Sequence, residues 1–101
     1  MKRAMLMNEK DSVATALENL TKNEIAAIVS PSQEEVTQLS VRQDVPFGHK
    51  LAIRAIAEGT AIIKYGEIIG QASKDIETGE YVHIHNVTSN RMQLPDLWYR
   101  K

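Results

Sequence analysis

The sequence predicts one mainly-β domain, and three observations carry that prediction. All five glycines fall between positions 48 and 79, and the first 47 residues contain none. Glycine adopts positive φ at little steric cost, so a glycine roughly every ten residues reads as tight turns between short strands. The segments between the turns, 51–56, 60–65 and 80–85, are short and carry β-branched or aromatic side chains. A length of 101 residues completes the case. Such a chain forms one domain that buries roughly 60–70% of the surface exposed when unfolded.

Taken in order, residues 1–10 read as an N-terminal tail. Val13, Ala16, Leu17 and Leu20 follow an i, i+3, i+4, i+7 spacing after Asp11 and Ser12, either of which suits a helix cap. The same stretch also permits a strand over 13–17, with Val13, Thr15 and Leu17 on one face. Residues 25–30 read as a strand ending at Pro31, residues 32–35 as a polar turn, and residues 36–41 as a further strand. Segments 54–62 and 74–82 then repeat a pattern of base, x, Ile, two residues, Gly, strand. In each copy an isoleucine anchors the strand end in the core before a glycine reverses the chain, which predicts two similar corners. Residues 89–101 read as a tail or linker, with Leu97, Trp98 and Tyr99 as a candidate partner anchor.

Composition excludes several classes. Twelve Lys and Arg balance thirteen Asp and Glu, which argues against nucleic acid or an anionic membrane as the main partner. Zero cysteine removes disulfide scaffolds, thiolate zinc sites and a cysteine nucleophile. The longest apolar run is 25–29, far too short to cross a bilayer, and residues 4–7 are too short for a signal-peptide core. The expectation is a soluble cytoplasmic protein. There is no nucleotide-binding loop, no nucleophile elbow and no basic–aromatic interleaving for stacking bases.

Three groups of residues are candidates for chemistry. His83 and His85, two apart on an expected strand, would share a face about 7 Å apart. That spacing suits two imidazoles on one metal, or a base beside a hydrogen-bond donor, although a metal needs a third ligand such as His49, Asn86 or a residue of a partner. The bland alternative is a solvent-facing edge whose inward residues are Val82 and Ile84. Pro46-Phe47-Gly48-His49-Lys50 sets an imidazole and an ammonium beside a rigid turn, where they could hold a carboxylate or phosphate. Equally, that segment is a turn opening a strand. Lys64 and Tyr65 stand at a third strand end, where Tyr65 also reads as a core-edge residue with its hydroxyl in water.

Together these segments resemble a known family. Pro46-x-Gly48-His49-Lys50-x-Ala52, Ile63-Lys64-Tyr65-Gly66-x-x-Ile69-Gly70 and Gly79-x-x-Val82-His83-x-His85-Asn86 resemble the small domain of altronate and galactarate dehydratases and the small subunit of sulfolactate sulfo-lyases. The likeness spans residues 11–88 and is nearest the altronate type. It implies an SAF-type β-clip fold, and therefore a strand rather than a helix from Asp11 to Leu17. It departs from the family at residues 21–24, where Asn23 stands in place of a turn glycine. Asparagine tolerates left-handed φ, so the turn is expected to survive.

The resemblance further implies β-elimination of water from a sugar acid, giving a 2-keto-3-deoxy acid, with a divalent metal (iron or manganese). It implies that the large catalytic subunit or domain lies outside these residues, so that this chain alone is inactive; a homo-oligomer is also compatible. His83 and His85 become expected metal ligands or acid/base groups. His49, Lys50, Lys64 and Asn86 become expected substrate-binding residues, with His49 and Lys50 on the substrate carboxylate. Two alternatives stay open: a sulfolactate sulfo-lyase small subunit, or a non-catalytic β-clip module binding a carbohydrate or a protein.

Overall fold

A computed structural model describes residues 1–89. The candidate anchor at Leu97–Tyr99 lies outside the described residues. Nine strands and no helix make up the described part: β1 (Lys2–Met5), β2 (Val13–Ala16), β3 (Ile25–Val29), β4 (Glu35–Ser40), β5 (Lys50–Ala52), β6 (Ala61–Lys64), β7 (Glu67–Ala72), β8 (Tyr81–Val82) and β9 (Val87–Ser89). They form a six-stranded sheet in the order β4-β3-β1-β2-β5-β8 and a three-stranded sheet in the order β6-β7-β9. The mainly-β expectation holds. Among the described residues no helix is long and apolar enough to cross a membrane.

The first ten residues are not a tail. β1 lies between β2 and β3, antiparallel to the one and parallel to the other, and Ala4 is fully buried. Only Ala4 and Met5 of the apolar stretch 4–7 lie in this strand, which opens on Lys2 and Arg3. The segment with helical spacing is β2. Val13 pairs with Ala52 and Ala14 with Leu51 across a β2–β5 ladder, and that pairing overrides the local periodicity.

Strand alternation sorts the side chains into two cores. Ala14, Ala16, Ile28, Val41, Val45 and Leu51 belong to one buried cluster. Val13, Ala52, Ile56, Ile62, Ile76 and Val82 belong to the other. Each fully buried Ile or Leu contributes about 1.5–3 kcal/mol on leaving water.

The expected two corners are four. Segments 16–24, 41–49, 52–60 and 72–80 each run from a buried apolar residue, through a bend, to a second buried apolar residue and a tight turn with positive φ at its eighth position. Those eighth residues are Asn23 (φ 78), Gly48 (83), Gly59 (83) and Gly79 (90). Asn23 keeps the turn, as expected. The segments pair off. Leu20 and Val45 exchange two backbone hydrogen bonds of 2.8 and 2.9 Å, and Ile56 and Ile76 exchange two of 2.8 Å. The eighth residue's N–H then donates to the first residue of the paired segment: Asn23 to Val41, Gly48 to Ala16, Gly59 to Ala72 and Gly79 to Ala52. Each pair is thus a local pseudo-two-fold.

Candidate functional site

The exits of two corners build the site. Segment 41–49 leads into β5 and segment 72–80 into β8, and β5 pairs with β8 in the register Lys50↔Val82 and Leu51↔Tyr81. That register brings His49 beside Tyr81. The Tyr81 hydroxyl lies 2.6 Å from His49 Nδ1, and their rings meet edge to face at 5.6 Å.

β8 ends at Val82, which corrects the expected strand over 80–85. Residues His83 to Asn86 instead form a turn, closed by the Asn86 N–H donating to the His83 carbonyl at 3.1 Å. Val82 points inward as expected, but Ile84 is 83% exposed and not an inward residue. The cause is Asn86, whose side chain is buried. Its Oδ1 accepts the His83 N–H at 2.9 Å and its Nδ2 donates to the Tyr81 carbonyl at 2.8 Å. Both ends of that amide are committed within the loop, so Asn86 shapes the site from beneath.

The loop wraps two imidazoles around one phenol. The His83 ring stacks on Tyr81 at 5.4 Å with 6° between planes, and His85 lies tilted at 5.7 Å. His83 also meets His49 edge to face at 5.3 Å. Three histidines scattered between positions 49 and 85 therefore converge on Tyr81, a residue given no role by the sequence. Its spacing to His83 and His85 (i, i+2, i+4) was the available signal.

His49 and Lys50 part company. Lys50 pairs with Thr15 and Val82 and so faces the second core, whereas His49 sits with Tyr81 on the face of the first. The expectation that this pair jointly holds one carboxylate is corrected by strand alternation. Lys50 instead faces Lys64: burial first, and the Lys64 charge second, hold its ammonium below the usual lysine range. Neither lysine has a carboxylate within ion-pair distance among the described residues. Lys64 Nζ lies 4.8 Å from the Tyr65 ring centroid, and that ring is largely exposed.

A buried carboxylate locks the Lys64 hairpin in place. Asp11 Oδ2 and Oδ1 accept the Tyr65 and Gly66 N–H groups at 2.9 and 2.8 Å, where both turn residues have positive φ. Ser12 exchanges bonds with Ile63, and the Arg54 guanidinium donates to the Asp11 carbonyl at 2.8 Å. Local sequence offers Asp11 as a helix cap or a strand residue, whereas in the fold it caps a hairpin more than fifty residues away.

A model of the altronate/galactarate dehydratase SAF domain matches residues 2–90. The chain belongs to that family. Over 90 residues, 89% of this chain, it is 38% identical to altronate dehydratase of Bacillus subtilis and 42% identical to altronate dehydratase of Escherichia coli. It spans only 17% of the length of each of those proteins. Over 59 residues, 58% of this chain, it is 46% identical to (2R)-sulfolactate sulfo-lyase subunit alpha of Chromohalobacter salexigens, covering 63% of that subunit. The family match includes β1, in keeping with its place inside the sheet.

A divalent metal is implied by the family resemblance, and the described residues do not make a complete site for one. Among the described residues no group of three or more His, Asp or Glu side chains is placed to hold an ion. His49 Nδ1 is already engaged by Tyr81. A cavity of about 250 Å³ lies elsewhere, lined by Asn19, Leu20, Thr21, Asp44, Val45 and Pro46 at the first corner pair. The Asn19 and Asp44 side chains there accept from the Phe47 and Lys22 N–H groups, so they serve the corner.

Proposed function

We propose that this SAF domain is the small part of an altronate-type sugar-acid dehydratase and presents its histidine cluster to a large catalytic subunit or domain. One observation carries the reading: His49, His83 and His85 converge on Tyr81 in a chain of this family. The reaction breaks the C2–H bond, passing its proton to a base, and breaks the C3–O bond, whose oxygen leaves as water after accepting a proton. The resulting enol tautomerises to the 2-keto-3-deoxy acid. An α-proton beside a carboxylate is weakly acidic, so both proton transfers need positioned groups near neutral pKa, a task suited to imidazole. His83 and His85 fill those acid and base roles. Lys50 and Lys64 supply positive charge at the flank, where a substrate carboxylate would relieve their mutual repulsion. Asn86 sets the loop.

The test is reconstitution with the large portion, measuring 2-keto-3-deoxy acid formation from altronate. The chain alone is expected to be inactive. His83→Ala with His85→Ala is expected to lower kcat/KM at least about a hundredfold, the scale of one lost acid–base partner. Full retention of activity would make the histidine loop structural.

A second reading has its own support. The identity to a sulfo-lyase alpha subunit reaches 46%, and elimination of sulfite from sulfolactate follows the same bond logic. Assaying altronate against sulfolactate with the reconstituted enzyme separates the two substrates.

A further inference from the structure

We propose that Tyr81 is the positioning residue for His49, holding that ring as an Nε2–H hydrogen-bond donor toward a substrate oxygen; this rests on the reading that the histidine end faces the active site. The geometry begins with the 2.6 Å contact between the Tyr81 hydroxyl and His49 Nδ1. A phenol carries one proton and donates more strongly than it accepts, so Nδ1 is the acceptor. A neutral imidazole with Nδ1 accepting keeps its single proton on Nε2.

Tyr81 is well held for this task. Its N–H donates to Gln43 Oε1 at 2.9 Å, and its carbonyl accepts from Asn86 Nδ2 at 2.8 Å. Its ring packs against the first core on one side and stacks on His83. His49 is held in turn by its N–H, which donates to the Pro46 carbonyl at 3.0 Å across the Gly48 turn. Neither ring needs to reorganise to keep the hydroxyl on Nδ1.

The consequence is a division of labour among the three histidines. An Nε2–H donor stabilises an oxygen that gains negative charge, such as an enediolate oxygen, and does not remove a proton from carbon. The base role then falls to the loop histidines. His49 also acts apart from Lys50, which faces the other side of the strand.

The experiment uses the full 101-residue chain labelled with nitrogen-15 in histidine, at alkaline pH where imidazole is neutral. His49 is expected to show an unprotonated Nδ1 and a protonated Nε2. Tyr81→Phe keeps the ring and its stack but removes the hydroxyl, and is expected to give a mixture of tautomers. A protonated Nδ1 in the parent, or an unchanged tautomer in Tyr81→Phe, overturns the proposal. In the reconstituted enzyme, Tyr81→Phe is expected to lower kcat/KM about tenfold, the scale of one hydrogen bond. His49→Gln, which still offers an N–H donor but cannot act as a base, is expected to retain more activity than His49→Ala. Equal loss in both variants overturns the donor role. If the tautomer is as expected but the reconstituted protein has no dehydratase activity, the functional reading fails and the Tyr81–His49 positioning stands.

Discussion

The two corner pairs solve one backbone problem with different residues. In the pair formed by 16–24 and 41–49, the anchors are Leu20 and Val45 and the positive-φ residues are Asn23 and Gly48. In the pair formed by 52–60 and 72–80, both anchors are isoleucine and both turn residues are glycine. The reciprocal hydrogen bonds match to within 0.1 Å. What the corner requires is therefore a buried apolar residue at the first and fifth positions and tolerance of positive φ at the eighth. Other positions vary, and the candidate site is built from them. His49 occupies the ninth position of one segment, and Tyr81 follows the ninth position of another.

The eighth positions differ in how tightly they are packed, and the contrast is sharpest inside the second pair. A Cβ on Gly79 would sit 2.1 Å from the Ser40 carbonyl oxygen, whereas Gly48 and Gly59 have nothing within 4 Å. Gly79→Ala therefore combines left-handed strain with a backbone clash, and is expected to cost about 3–5 kcal/mol in urea unfolding. Gly59→Ala bears the strain alone and should cost about 1–2 kcal/mol. Equal losses would mean that the Ser40 strand moves aside without penalty.

The difference between the pairs also explains what could be read ahead of the structure. The isoleucine–glycine corners were visible because both copies carry the same residues. The first pair was hidden because Asn23 does the work of a glycine and Leu20 and Val45 share no identity. β1 escaped notice because a strand paired on both sides needs only Ala4 and its neighbours, not a long apolar run. Strand alternation at the histidines stops at Val82, where the buried Asn86 amide bends the chain into a turn that no local pattern announces. Long-range roles, such as Asp11 at the Tyr65–Gly66 hairpin, leave no local pattern in the chain.

Caps at the fourth position provide a sharper contrast. Asn19, Asp44 and Asp75 each accept the N–H of the seventh residue in the paired segment: Phe47 at 2.9 Å, Lys22 at 2.9 Å and Glu58 at 2.8 Å. Asp75→Ala is expected to cost about 1 kcal/mol, the scale of a lost cap to a backbone donor. Asp44→Ala should cost a similar amount if the two pairs are equivalent.

Lys50 tests the exit of segment 41–49. Its lowered pKa means that the folded state binds its proton less tightly than the unfolded state does. The charged form thus destabilises the fold at neutral pH. Stability rises as pH climbs through the lowered value toward the ordinary 10.5, above which the penalty vanishes. Lys50→Gln is expected to raise the urea midpoint slightly at pH 7, with the gain shrinking as pH approaches the lysine range. A gain that persists at high pH would point to packing instead of charge.

The smallest expected effect is also the most specific. The fourth position of segment 52–60 is Ala55, so the Thr78 N–H receives no side-chain cap among the described residues, unlike its three counterparts. Ala55 is exposed, and its counterpart in the paired segment, Asp75, already reaches across to Glu58. Ala55→Asp should complete the pseudo-two-fold and stabilise the protein by about 0.5–1 kcal/mol. Amide exchange at Thr78 should slow alongside the rise in Tm. Stabilisation without slower exchange would place the gain in charge, and no gain at all would mean that the second pair departs from two-fold symmetry at this position.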